Sequence, residues 1–236
     1  MYTHYPMMYG FDSTYILVLI GVVISMIASA NVKMTFNKFK KVGNAKNLRA
    51  EDVAKKILND AGIYNVTIQH IGGNLSDHYS PNEKTLRLSD TVYGSSSVAA
   101  IGVAAHECGH AIQDYEKYPA LVLRSAAVPL ANFGTKLSWP LIFLGLFLGF
   151  TPLAQLGIYL FILVVFFQLI TLPVEFDASK RALKILKTSQ ILSDTEVGGA
   201  RKVLTAAALT YVAALLTSIL QLLRFIILTQ NRRGRK

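Results

Sequence analysis

The chain has 236 residues, of which 52% are hydrophobic and 16% charged. Soluble domains carry about 25% charged residues, so this composition excludes an ordinary water-soluble protein. The 24 Lys and Arg against 14 Asp and Glu give a net charge of +10, but no basic-aromatic motif accompanies this excess, which excludes nucleic acid as a partner. A single cysteine, Cys108, excludes an internal disulfide framework.

The first predicted element is a membrane-spanning helix over residues 13–30. This run, STYILVLIGVVISMIASA, is about long enough to cross the hydrocarbon core. A cleaved signal peptide is the alternative, because ASA at 28–30 resembles a cleavage site. Residues 1–14 contain no Lys or Arg, however, and signal peptides begin with a positive region. We therefore predict a retained transmembrane helix in the segment 1–30.

The segment 31–128 has soluble composition and is the expected catalytic region. RAEDVAKKILNDAG predicts an amphipathic helix that stops at Gly62. YNVTIQHI and KTLRLS predict short strands, and GGNLSDHYSPNE between them is rich in turn residues. SSSVAAIGVAAHECGHAIQDY then begins with serine caps and continues at helical period, which predicts a helix.

The segment 129–173 is apolar and is interrupted by TPLAQLG at 151–157, which predicts a transmembrane helical hairpin. Its second arm is clear, whereas Lys136, Trp139 and Pro140 interrupt the first. A polar segment, 174–202, follows with a helix expected to open at Glu175, and 203–236 holds a last span and a basic tail. The predicted architecture is α+β, mostly helical, in an integral membrane protein with about four transmembrane helices.

The distribution of basic residues predicts the orientation. The stretch 31–128 holds twelve Lys or Arg, 174–202 holds six, and the hairpin tip holds none. Four spans would place these two segments on one side, which the positive-inside tendency makes cytoplasmic. The sequence RRGRK at the C-terminus disagrees, and we expect the eighteen other basic residues to outweigh it.

The stretch AAHECGHAIQ contains the pattern H-E-x-x-H, formed by His106, Glu107 and His110. Helical residues four apart lie about 40° apart around the axis and about 6 Å apart along it, so both histidines can bind one Zn²⁺ ion. Glu107 can then act as base toward a water on that ion. Chance is the alternative, but the capped helical context favours a metal site. Cys108 is expected to pack in the core, and Gly109 to permit close approach of a neighbouring backbone.

Two residues compete as the third metal ligand. Glu116 lies six residues past His110, but that arrangement needs a glycine where this chain has Gln113. Glu175 lies on a later helix, just after the hairpin and on the same membrane side as His106. Its alternative role is that of a favourable acid in the first turn of a helix. We prefer Glu175.

The combination of DHYSPNEKTLRLSDTVYG, AAHECGHAIQ and LPVEFDASKRAL resembles the YugP-type membrane zinc metallopeptidases of bacteria. It is similar, more distantly, to the HtpX and CAAX-prenyl-protease group. The resemblance covers nearly the whole chain and implies a gluzincin-like catalytic domain in the bacterial plasma membrane. It implies His106, His110 and Glu175 as zinc ligands and Glu107 as base.

One departure from the distant group concerns its Glu-x-x-Ala-Asp pattern, in which the Asp orients a histidine ligand. Here Ala178 matches, but Ser179 replaces the Asp, and Asp177 is a candidate substitute or simply a helix-start acid. The resemblance also implies an edge strand that binds substrate backbone, for which KTLRLS is the candidate. His78 and Tyr211 are candidate oxyanion donors, and a loop histidine bonded within its own turn is the alternative for His78.

The expected function is that of a zinc-dependent endopeptidase embedded in the membrane, with protein or peptide substrates that include membrane proteins. The alternative is a non-catalytic scaffold or transporter with a structural zinc. Glu107 argues against that alternative, because a structural site needs no base, and a transporter would place ionisable residues at mid-span in several helices. The bilayer is an expected partner, and the sequence leaves the oligomeric state open.

Overall fold

The computed structural model describes the backbone of residues 13–233 and the side chains of residues 13–230. Within that range the chain forms six helices and three strands: α1 Tyr15–Phe39, α2 Ala50–Asp60, β1 Thr67–Ile71, β2 His78–Ser80, β3 Thr85–Ser89, α3 Val98–Tyr115, α4 Pro119–Phe147, α5 Thr151–Thr188 and α6 Asp194–Arg233. The predicted class, mostly helical α+β, is confirmed. The start of the segment 1–30 and the end of the basic tail lie outside the described residues.

The helices predicted around the strands form as expected. Val53 and Ile57 of α2 are buried on one stripe, and Gly62 follows the helix with a φ of 73°, a conformation that glycine adopts without strain. Helix α3 begins at Val98 and is capped by Ser97, whose hydroxyl accepts a hydrogen bond from the Ala100 backbone N–H. The serine cap therefore sets the start of the helix that carries the H-E-x-x-H pattern.

The sheet has the strand order β1-β3-β2, with β1 parallel and β2 antiparallel to β3. Both predicted strands form, but the turn-rich segment between them contributes the third, β2. The expectation that KTLRLS is an edge strand is wrong, because β3 pairs on both sides and buries Leu86 and Leu88 completely. The edge strands are β1 and β2, and β2 is the one that lies beside α3.

The main hydrophobic core joins the sheet to five helices. It contains Phe36 of α1 and residues from α2, β3, α3 and the sequence-adjacent ends of α5 and α6, including Ile57, Leu86, Leu186 and Val197. The small sheet and the long apolar helices therefore share one core, which holds the soluble region against the ends of α5 and α6.

Three helices of the described chain, α1, α5 and α6, are long and apolar enough to cross a membrane. The expected number of about four is therefore wrong. Helix α4 has the length but not the composition, because Asn132, Lys136 and Pro140 interrupt its apolar run. It nevertheless lies antiparallel along α5, joined to it by a turn at residues 148–150 in which Gly149 has a φ of 67°.

Small residues bring the long helices together. An added Cβ at Gly157 of α5 would lie 2.8 Å from the Ser138 carbonyl oxygen of α4. On the other side of the molecule, Thr217 of α6 donates a hydrogen bond to the Gly21 carbonyl of α1 at 3.1 Å. Such close backbone approach and polar contacts are typical of helix packing in membranes.

The helix expected to start at Glu175 does not start there. Helix α5 is continuous from Thr151 to Thr188 and contains Pro173. Proline disfavours a helix interior, but Val174 and Ala178 are fully buried, so packing overrides the break. Glu175 consequently lies in mid-helix, and its alternative role as a first-turn acid falls away.

Helices α3 and α5 cross at Gly109. A Cβ added there would lie 2.6 Å from the Ala178 carbonyl oxygen and 3.1 Å from the Ala178 Cα atom. The expected close approach of a neighbouring backbone at Gly109 is thus confirmed, and this contact sets the spacing of the two helices.

Replacement of this glycine tests the crossing. We expect Gly109→Ala to destabilise the protein by about 1–3 kcal/mol or more, because the clash is with backbone that cannot rotate away. The measurement is the midpoint of thermal unfolding in detergent. The matched control is Gly198→Ala on α6, where an added Cβ meets nothing within 4 Å. It should leave the midpoint unchanged or raise it, and equal midpoints for the two variants would contradict the proposed crossing.

Candidate metal centre

Three potential metal ligands converge where α3 crosses α5. His106 and His110 flank Gly109 on α3, and Glu175 lies one turn before Ala178 on α5. The Nε2 atoms of His106 and His110 lie 3.3 Å and 3.6 Å from the Glu175 Oε2 atom. All three ligand atoms lie within 4.8 Å of one another, and they form a group that could hold a metal ion.

The hydrogen bonds of His110 fix which ring nitrogen is free. Gln113 donates through its Nε2 to the Val174 carbonyl at 2.9 Å and to the Asp177 carboxylate at 2.8 Å. Its Oε1 must therefore accept at 3.0 Å from Nδ1–H of His110. This tautomer leaves Nε2 of His110 with a lone pair directed at the centre.

His106 is held from α5 by Ser179. The Ser179 hydroxyl lies 3.1 Å from Nδ1 of His106, a distance at which it can accept the ring N–H. Nε2 of His106 then also carries a lone pair. Ser179, which stands where the distant group has an Asp, thus makes the contact to a histidine that the Asp makes in that group.

A tetrahedral zinc ion fits these atoms. The Glu175 Oε2 atom is buried and has no hydrogen-bond partner among the described residues. Two ligands about 2.0–2.2 Å from a tetrahedral zinc lie about 3.3–3.6 Å apart, in agreement with the 3.3 Å and 3.6 Å separations. With both rings neutral, three potential donor atoms so close together form a set that one metal cation can hold.

The local charge also favours a cation. Burial lowers the pKa of His110, but the carboxylates of Glu175 and Glu107 outweigh burial, and the pKa is raised above its ordinary value. Arg124 of α4 approaches the other Glu175 oxygen, Oε1, at 3.8 Å. Arg124 thus faces the Oε1 atom of Glu175, whereas the Oε2 atom faces the two histidines.

A cavity of about 410 Å³ opens beside the three ligands. Glu107 lines it and makes no hydrogen bond to another described side chain or backbone group. Arg124 and Tyr211 lie on its wall, together with residues of β2 and of the first half of α4. The carboxylate expected to act as base therefore borders a space that a substrate can enter.

Two residues singled out from the sequence have partners of their own. His78 lines the cavity, but its Nδ1–H donates to the Ser76 carbonyl at 2.9 Å, and its Nε2 lies 3.4 Å from an Arg87 guanidinium nitrogen. In this arrangement the ring has no free N–H to offer. Asp177 contacts Gln113 rather than a histidine ligand, and so supports His110 through an intermediate residue.

The competing ligand Glu116 lies elsewhere. It pairs with Arg181 of α5 at 2.6 Å and does not belong to the ligand group. Cys108 is fully buried and donates to the Ala54 carbonyl at 3.6 Å, and burial raises the pKa of its thiol. Its expected packing role is confirmed.

Sequence reasoning missed the roles of Gln113 and Arg124. Gln113 lies three residues after His110, a spacing that places both on one helix face and could have indicated a partner. Arg124 is a lone charge in the apolar run ALVLRSAAV, and an isolated charge in such a run marks a candidate functional residue.

Comparison with known proteins agrees with this centre. A family described as "Putative neutral zinc metallopeptidase" matches residues 14–230. A Bacillus subtilis (strain 168) protein named "Putative membrane protease YugP" is 46% identical over 211 residues, which cover 89% of this chain and 93% of the relative. No solved structure matches the chain. By its sequence and by a His-His-Glu group that fits zinc, the chain belongs to this zinc metallopeptidase family.

Proposed function

We propose that the protein is a zinc-dependent endopeptidase of gluzincin type, embedded in the bacterial plasma membrane. The observation that carries this proposal is the His106–His110–Glu175 group beside an open cavity that Glu107 lines. Three protein ligands leave the fourth position of a tetrahedral zinc for water or substrate, as in catalytic sites.

The same observation argues against a structural zinc in a scaffold or transporter. Structural zinc sites are closed by four protein ligands, whereas the described residues supply a group of three. A structural site also has no use for a carboxylate such as Glu107 at the edge of a cavity of about 410 Å³.

In the proposed reaction Glu107 accepts the proton of the attacking water and passes it to the leaving amine. Zinc, when bound, lowers the pKa of a coordinated water to about 7 and polarises the peptide carbonyl. The Gln113 and Ser179 contacts keep both histidines in the tautomer that ligates through Nε2. Tyr211 and Arg124 supply donors on the cavity wall for the developing oxyanion.

Substrate backbone is proposed to lie along β2. Among the described residues this strand pairs with β3 on one edge and with no strand on the other, and Asp77, His78 and Tyr79 line the cavity. An extended peptide can add to such an edge as a further strand. Tyr79 and Lys84 both donate to the Asp114 carboxylate of α3 at 2.6 Å, which holds the strand against the metal helix.

The cavity is proposed to face the cytoplasm. In this proposal α4, which runs antiparallel to α5, carries the chain across the bilayer before α5 returns, although its composition is not that of a candidate span. The ligands come from both segments that are rich in basic residues, so these segments lie at the same level, and the positive-inside tendency favours the cytoplasmic side. Protein and peptide chains reached from that side, membrane proteins among them, are the proposed substrates.

Glu175 is the ligand to test first. We expect Glu175→Ala and His110→Ala each to weaken zinc binding at least about a hundredfold, because two ligands do not fix the tetrahedron. The measurement is zinc per purified chain after equilibration with a graded chelator. Glu116→Ala is the matched control and should retain zinc. Loss of zinc from Glu116→Ala, with retention in Glu175→Ala, would contradict the ligand assignment.

Glu107→Gln separates catalysis from metal binding. It should keep the wild-type zinc content but lower proteolysis by about 10² to 10⁴, because the amide cannot accept a proton. Cleavage of casein and of a co-reconstituted membrane protein is followed by gel. Glu116→Gln, the same change at the end of the same helix, should cleave normally. Unchanged cleavage by Glu107→Gln, in a preparation that chelator inhibits, would reject the proposed base.

Orientation is tested with single cysteines, since the natural Cys108 is fully buried. Lys56→Cys on α2 should be shielded from impermeant thiol reagents in intact cells, and Leu148→Cys at the hairpin tip should be labelled. Both positions are exposed, and permeabilised cells give the full labelling of each. Labelling of position 56 and not of position 148 would place the cavity outside the cell.

A further inference from the structure

A second cavity, separate from the one beside the metal ligands, lies between α5 and α6. Its volume is about 420 Å³. Its walls carry three lysines of α5, one arginine of α6, and apolar side chains of both helices: Lys180, Lys184, Lys187, Arg201, Phe176 and Leu204. We refer to this cavity as the basic groove.

The charge of the basic groove is largely uncompensated. Lys187 pairs with Asp194 at 2.9 Å. Among the described residues, Lys180, Lys184 and Arg201 have no ion-pair partner. Lys180 and Lys184 lie one helical turn apart, where like charges destabilise a helix, and Arg201 faces them across the groove. The groove is therefore complementary to an anion.

The polarity of the groove changes along its length. Helices α5 and α6 are antiparallel, so Lys187 lies near the turn that joins them, and Phe176 lies about 16 Å away along α5. Leu204 and Ala208 of α6 line the groove toward the Phe176 end. One end is thus cationic and the other apolar, a pattern that matches an amphiphile rather than a small soluble anion.

The groove also lies at the level expected for a lipid headgroup. Helices α5 and α6 are candidate membrane spans, and the apolar end of the groove continues into their apolar stretches. A neighbouring cavity of about 380 Å³ between α1 and α6 shares Arg201 and adds Lys38 and Lys202. The cations therefore continue around the adjoining ends of three candidate membrane helices, and basic pockets at such ends bind anionic lipids.

We propose that the basic groove binds an anionic phospholipid. Lys184 and Arg201 hold the headgroup phosphate, and the first part of an acyl chain lies on Phe176 and Leu204. The groove adjoins the metal centre, because Ser179 lines it and its hydroxyl also contacts His106. The proposal depends on membrane insertion and not on proteolysis. Lipid binding by the basic groove and zinc-dependent proteolysis can therefore be rejected independently of each other.

The test is lipid retention measured by native mass spectrometry. The full-length protein in detergent is mixed with equal amounts of phosphatidylglycerol and phosphatidylcholine. The wild type should retain phosphatidylglycerol preferentially, and the double variant Lys184→Gln/Arg201→Gln should retain it at least about tenfold less. The matched control is Lys55→Gln/Lys56→Gln on α2, which removes the same charge from an exposed surface and should behave as the wild type.

Thermal unfolding in detergent shows whether each variant is folded. If the double variant is not folded, the retention of phosphatidylglycerol is measured for the two single variants instead. Equal retention by the groove variants and the control would overturn the proposal, as would equal retention of the two lipids by the wild type. Millimolar inorganic phosphate is added as a competitor. Displacement of the phospholipid by phosphate alone would identify a site for soluble anions and would also overturn it.

Discussion

The contact between Gly109 of α3 and the Ala178 backbone of α5 is the constraint on which the metal centre depends. His106 and His110 lie on either side of Gly109, and Glu175 lies one turn before Ala178. Any side chain at position 109 would meet a carbonyl oxygen at 2.6 Å and push the helices apart. Because Zn–N and Zn–O distances tolerate only a few tenths of an ångström, these three side chains could hold one zinc ion only if position 109 has no Cβ.

The two histidines are oriented by unequal means. His110 is held by Gln113, which is fully buried and is itself bonded to the backbone and to Asp177 of α5. His106 is held by the Ser179 hydroxyl, a single neutral group. A carboxylate in that place would raise the basicity of the ring, so His110 is the more strongly supported of the two candidate ligands and His106 the more weakly supported.

Local patterns in the sequence predicted those features of the fold that depend on residues close together in the chain. The Ser97 cap, the glycine stop at Gly62 and the histidine spacing on α3 were all readable, because each depends on residues within one or two turns. The continuity of α5 through Pro173 was not, since it depends on burial of Val174 against α3. The central place of β3 likewise depends on pairing with the unrecognised strand β2, whose three residues carry no periodic signal.

The packing of helix α4 also could not be predicted from its local sequence. Its apolar run is interrupted by Lys136 and Pro140, so composition alone does not make it a membrane span, while its glycines pack closely on α5. The Arg124 side chain reaches Glu175 only because this packing brings α4 over the centre. A charged residue in an apolar run becomes part of a site only through the helix that packs against it, and the local sequence does not specify that helix.

Helix α5, a candidate membrane span, also carries the candidate ligand Glu175, and it is one continuous element of 38 residues. A bilayer that is thinner or thicker than its apolar stretch must be accommodated by tilt or by local deformation of the lipid. Tilt of α5 would act on Glu175 directly, and Pro173, two residues earlier, removes a backbone hydrogen bond at the point where bending is easiest. If α5 spans the bilayer, the thickness of the surrounding membrane would act through the tilt of this helix on the position of Glu175.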